Sequence, residues 1–112
     1  MKKIECIFRP EKLDEVKEAL NKKGFTGLTV TDVLGCGKQK GRKEVYRGVA
    51  LNINLLPKIK IEIVVKDEDA EDVADLIIRT ARTGNIGDGK IFISSIDNAY
   101  RIRTGESGES AI

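Results

Sequence analysis

Histidine is absent from the 112 residues, and that absence removes several chemistries together. Histidine phosphotransfer, Ser-His-Asp hydrolysis and the usual zinc sites all need an imidazole. Tryptophan is also missing and aromatics make up only 4% of the chain, too few to supply base-stacking platforms for a single nucleic-acid strand. A net charge of +2, with no basic stripe interleaved with aromatics, argues against a nucleic-acid partner. No apolar run approaches the about 20 residues that cross a bilayer, and the opening residues do not read as a secretory leader. The two cysteines, Cys6 and Cys36, lack metal-ligand spacing and read as a reduced pair. The expectation is a small cytoplasmic protein of one domain, residues 1–112.

What the chain does have is alternation. Residues 3–8 place Ile4, Cys6 and Phe8 on one face of a predicted strand, and Lys3, Glu5 and Ile7 on the other. Pro10 opens a helix, with Glu11, Asp14 and Glu15 near its positive end; Leu13, Val16 and Leu20 recur on one side, and Gly24 stops it. A second strand is predicted over about 27–34. Strict alternation returns at Lys58, with Ile59, Ile61, Ile63 and Val65 facing one way and Lys58, Lys60 and Glu62 the other. Five acidic residues from Asp67 to Asp72 crowd the next helix start, where the macrodipole and solvation account for them without a metal. Ala70, Val73, Ala74, Ile77 and Ala81 make its buried stripe. A fourth strand is predicted over 90–96, followed by Tyr100-Arg101-Ile102-Arg103, whose spacing puts both arginines on one face.

Strand-helix-strand thus occurs twice. Two such units make an α+β, ferredoxin-like βαββαβ sandwich, one sheet covered on one side by two helices. The other side of that sheet needs cover, and self-association would supply it.

Two stretches depart from this regular pattern. Gly35 to Asn54 contains four glycines, the basic cluster Lys38, Lys40, Arg42 and Lys43, and no sustained periodicity. Loops of this length inside a small domain tend to carry function. Gly35-x-Gly37 does not continue as a dinucleotide fingerprint, because the third glycine, Gly41, comes a residue late and no helix follows. Val45, Tyr46, Val49, Leu51 and Ile53 are too apolar for a purely solvated linker and suit a docking loop. The second stretch is Thr83 to Phe92. Gly84, four residues, Gly89 and Lys90 fit the start of a phosphate-binding P-loop. However, Ile91 stands where a magnesium-holding hydroxyl belongs, and the order runs helix into strand. A helix cap with a tight turn accounts for Gly84 but leaves Gly87, Gly89 and Lys90 without a reason, which favours a phosphate-cradling loop.

The run Thr83-Gly84-Asn85-Ile86-Gly87-Asp88-Gly89-Lys90-Ile91-Phe92 resembles the signature of the PII nitrogen-regulatory signalling proteins, and the rest of the chain agrees nearly end to end. The resemblance implies a homotrimer with nucleotide sites between subunits. It assigns ATP or ADP to Gly35, Gly37, Lys38, Gln39, Gly87, Asp88, Gly89, Lys90, Arg101 and Arg103. It assigns 2-oxoglutarate, bound beside ATP through Mg2+, to Gln39, Lys40, Gly41 and Lys58, with Gln39 as the protein's metal ligand. Residues 37–55 then correspond to the effector loop, 82–90 to the nucleotide loop and 101–112 to the C-terminal segment. Tyr46, Arg47 and Gly48 would dock on a partner, an ammonium transporter, with the protein peripheral at the membrane when bound. The resemblance also locates the covalently modified positions of relatives, and here Leu51 and Val49 occupy them without a hydroxyl. Two other readings stay open at this point. One is a slow nucleotide hydrolase using Lys90, the arginines and Asp88. The other is a PII-like sensor of a different small metabolite.

Overall fold

The computed structural model describes residues 1–37, 43–46, 49–52 and 55–112, the two short internal segments as backbone only. In chain order the elements are β1 (Lys2–Phe8), α1 (Leu13–Lys22), β2 (Leu28–Gly35), β3 (Lys43–Tyr46), β4 (Val49–Asn52), β5 (Leu56–Val65), α2 (Ala70–Ala81) and β6 (Gly89–Ser95). Four of them form an antiparallel sheet in the order β2-β5-β1-β6. That order, with α1 and α2 packed together, is the expected ferredoxin-like sandwich.

Alternation decides the faces. Ile4, Cys6 and Phe8 of β1 and Ile59, Ile61, Ile63 and Val65 of β5 are all buried against the helices. From α1, Val16 and Leu20 join them; from α2, the full stripe Ala70, Val73, Ala74, Ile77 and Ala81. Fully burying a side chain such as Ile61, which has no exposed surface, stabilises the fold by about 1.5–3 kcal/mol.

Each helix begins with a single 3-10 turn, Pro10–Lys12 before α1 and Asp67–Asp69 before α2. Proline fits there because its fixed φ suits a first turn and its missing N–H would be unpartnered anyway. The α1 terminus is closed by Gly24 at φ 87°, whose amide donates to Asn21 O at 3.0 Å while Phe25 N donates to Leu20 O at 2.9 Å. That pair of bonds satisfies the last carbonyls, and the left-handed turn is why glycine stands there.

Among the described residues no helix covers the opposite face of the sheet. Paired Cα positions share a face, so Thr31, Lys60, Ile7 and Lys90 lie in one row there and Thr29, Glu62, Glu5 and Phe92 in the next. Lys60 Nζ sits 3.4 Å from both Glu5 and Glu62, and Lys3 lies 3.7 Å from Glu62. Beside this charge lattice, Phe92 is 53% exposed.

Two segments differ from expectation. Within the aperiodic stretch, β3 and β4 pair as an antiparallel ribbon, Lys43 opposite Asn52 and Tyr46 opposite Val49. Four-residue strands are too short to show a period among glycines and lysines. The Tyr100–Arg103 alternation is not a strand but part of a turn: Arg101 N donates to Glu106 O at 2.8 Å and Gly105 N to Arg101 O at 2.7 Å. Gly105 and Gly108 take positive φ there and fold the chain back, so only Tyr100 keeps a bridge, to Ser107.

Candidate functional site

The 82–90 loop links the end of α2 to β6, and its shape is set by one carboxylate. Asp88 accepts from Thr83 N and Gly84 N, each at 2.8 Å, and from the Thr83 hydroxyl and Arg9 Nε, the latter at 3.1 Å. The Thr83 hydroxyl, then the two backbone amides and the Arg9 guanidinium, hold the Asp88 carboxyl well below the ordinary carboxylate range. Arg9 Nη2 also donates to Ile86 O at 2.9 Å, and Lys58 Nζ to Gly87 O at 2.7 Å. Two cations therefore grip two consecutive carbonyls. Burial, followed by the nearby Arg9 charge, lowers the Lys58 pKa.

Glycine is required in this loop for reasons beyond the composition. Gly84, Gly87 and Gly89 have φ of 91°, 102° and 113°. A Cβ on Gly89 would overlap the Ile7 carbonyl oxygen and lie 2.9 Å from Phe8 Cα. Gly89 thus lets β6 close on β1, where it pairs with Phe8.

Beside the loop opens a cleft of about 490 Å³, lined by Ile7, Gly35, Cys36, Gly37, Leu56, Lys58, Ile86, Gly87, Gly89, Lys90 and Phe92. It gathers residues singled out from three separate stretches: Gly35 and Gly37 at the end of β2, Lys58 on β5, and Gly87, Gly89 and Lys90. At Gly35 an added Cβ would stand 3.2 Å from Lys58 Cγ, so glycine there gives the lysine stem room. Lys90 is exposed at the rim and joins no ion pair among the described residues. Asp88 is not among the cleft-lining residues; it lines an adjacent hollow with Gly89 and Lys90, its oxygens already bonded. Such an arrangement presents cationic nitrogen and glycine backbone to an anion in a partly apolar cleft.

Arg101 and Arg103 are not brought to this cleft. Arg101 lines a hollow with Lys3, Phe25, Thr29, Glu62 and Val65, at the other end of the sheet, and pairs with Glu106 at 3.2 Å. Along β1 the two places are lined by Ile7 and Lys3, four residues apart, about 13 Å at strand rise. Lys38, Gln39, Lys40, Gly41, Arg47 and Gly48 lie outside the described residues, and of Tyr46 only the backbone pairing is described.

Arg9 and the organising role of Thr83 were not visible in the sequence. Arg9 reads as the end of an alternating strand before a proline. Its partners lie 77 and 79 residues away, and no local pattern carries that information.

Comparison with known proteins gives a consistent picture. The profile of the family described as "Nitrogen regulatory protein P-II" matches residues 1–106. The chain is 59% identical over 112 residues to the nitrogen regulatory protein P-II of Bradyrhizobium diazoefficiens, with both chains fully covered. It is equally 59% identical to nitrogen regulatory protein P-II 2 of Methanothermobacter thermautotrophicus, covering all of this chain and 97% of that one. With nitrogen regulatory protein P-II 1 of Escherichia coli K12 it shares 55% over the full length of both.

Proposed function

Since the chain belongs to the P-II family of nitrogen regulatory proteins, we propose that it is a cytoplasmic signal transducer reading ATP or ADP together with 2-oxoglutarate. The observation that carries this reading is the convergence of Gly35, Gly37, Lys58, Gly87, Gly89 and Lys90 on one cleft. In this account the polyphosphate lies along the Gly87–Lys90 loop, with Lys90 as a point charge at the rim. Arg101 stands at the far end of the same sheet and Arg103 in the turn that follows it, and in this account a second copy of the chain supplies both. The site is then incomplete without self-association. Ile102, between those arginines, is 100% exposed in the single chain, and Phe92 is half exposed on the uncovered sheet face. Both favour a homotrimer that buries them.

Lys58 places a partly buried cation in the cleft beside Gly87 and fits the distal carboxylate of a dicarboxylate ligand. Mg2+, when bound, joins the nucleotide phosphates to a 2-keto acid through hard oxygen donors, and the Gln39 side-chain amide is a donor of that class. Lys40 and Gly41 would complete the keto-acid contacts. Gln39 opens the segment that leads into the β3–β4 ribbon, so ligand binding at its root biases the conformation displayed further out. In sequence Arg47 and Gly48 fall between β3 and β4, and we assign Tyr46, Arg47 and Gly48 to an ammonium transporter as target, with the protein peripheral at the membrane when docked. Among the described residues no helix is long and apolar enough to cross a membrane.

The non-enzymatic reading is supported by Asp88. Its four accepted bonds and lowered pKa make it a poor base for activating water, which leaves the hydrolase alternative without its candidate. Calorimetric titration of 2-oxoglutarate in Mg2+, with and without ATP, tests the proposal. Measurable binding only with ATP present is expected, with 2-oxoglutarate tightening ATP in return. Equal keto-acid affinity in both conditions, or none in either, would overturn it.

A further inference from the structure

We propose that Arg9 is a positioning residue of the cleft, acting through the 83–88 loop and not by touching the ligand. The inference rests on the reading of this cleft as a nucleotide site. Arg9 stands just past the end of β1, with its side chain 15% exposed. Its guanidinium spans two points of the loop: Nε reaches Asp88 Oδ1 at 3.1 Å and Nη2 reaches Ile86 O at 2.9 Å. Asp88 in turn holds the amides of Thr83 and Gly84, each at 2.8 Å. One side chain just beyond β1 is therefore tied to the middle and exit of the loop, and through Asp88 to its entry.

Peptide planarity turns this into a statement about donors. The described residues contain no cis peptide bond, so in this loop a carbonyl and the following N–H point in opposite directions across the plane. Arg9 draws the Ile86 carbonyl toward itself, and the Gly87 amide is turned away from it. Lys58 fixes the next plane in the same way through Gly87 O at 2.7 Å. Gly87 has φ 102° and no side chain, so without these two anchors its flanking planes would be the freest in the loop. A loop held in one geometry before binding loses less freedom when an anion arrives.

The proposal depends on the fork and not on charge alone. A lysine at position 9 carries the same charge, but its single nitrogen cannot reproduce two rigidly spaced donors. Arg9→Gln and Arg9→Lys, in the full chain, separate these contributions. The first readout is amide hydrogen exchange of the ligand-free protein, comparing Thr83 and Gly84, whose amides Asp88 holds, with Ile61 in the core. The second is titration with Mg-ATP. Both variants are expected to exchange faster in the loop with Ile61 unchanged, and to lose about tenfold in ATP affinity, the effect of one charge-assisted bond. Asp88→Asn removes the same anchor from the loop side, and should reproduce the loop exchange even if an Arg9 variant proves unstable. Arg9→Lys with wild-type affinity, or loop exchange unchanged in all three variants, would overturn the inference. A wild-type protein that binds no ATP would instead refute the nucleotide reading, and the exchange comparison alone would then decide whether Arg9 holds the loop.

Discussion

Substituting Gly89 by alanine separates a glycine that serves the fold from one that serves a phosphate. At φ 113° an L-residue is strained, at about 1–3 kcal/mol. The new Cβ would also overlap the Ile7 carbonyl, which is backbone of a central strand and cannot swing aside. Relief requires the start of β6 to lift from β1 where Gly89 pairs with Phe8, weakening at least one ladder bond at about 0.5–1.5 kcal/mol. Together these give about 2–4 kcal/mol, a Tm lower by about 10–20 °C for a domain of this size. Gly105→Ala is the control, because Gly105 has φ 74° with nothing within 4 Å of an added Cβ; it should cost about 1 kcal/mol. Differential scanning calorimetry of both variants, at one protein concentration, gives the comparison. If Gly89→Ala melts with the wild type and loses only nucleotide affinity, the packing argument is wrong.

Other outcomes follow from the same geometry. Burial pushes the Cys6 thiol up to about 12 while Cys36 is exposed at the cleft, so native protein should be alkylated at Cys36 alone, and more slowly with Mg-ATP. Mass spectrometry showing adducts on Cys6, or no protection of Cys36, would count against the burial or the ligand assignment. Glu106→Gln frees Arg101 from a part-exposed ion pair, and ATP affinity should rise up to about fivefold by calorimetry; a loss would show that Glu106 supports the site. Because the Asp88 pKa is depressed in the folded chain, its contribution is present above the unfolded value and lost only as pH falls through the lower folded one. A carboxyl-carbon NMR titration should find Asp88 still ionised at about pH 3, where an unconstrained aspartate is mostly protonated.

Most of the fold was legible in the sequence because a single period governed each element. Ile4, Cys6 and Phe8, the isoleucines of β5 and the α2 stripe are buried as their spacing predicts. The cleft was legible only as separate pieces. Gly35, Lys58 and Gly87–Lys90 each had an ordinary alternative reading, and only antiparallel pairing brings them together. Phosphate chemistry alone suggested Gly89, whereas the steric reason lies with Ile7, more than eighty residues away in sequence. The spacing of Tyr100–Arg103 left its conformation open. Its alternation has no neighbouring strand to satisfy it, and the glycines at 105 and 108 win locally.

The central claim is that one site is built from two copies of this chain, and mixing two defective variants tests it directly. Lys90→Ala disables the loop half of the site; Arg101→Ala combined with Arg103→Ala disables the other half. Each variant alone should bind ATP poorly. In the proposed trimer, refolding the two together in equal amounts gives mixed assemblies in which one interface combines an intact loop with intact arginines. About a quarter of all sites should then regain wild-type affinity, from random threefold assembly. Calorimetry that finds this restored fraction supports the account, and co-refolded protein that binds no better than either variant alone would contradict it.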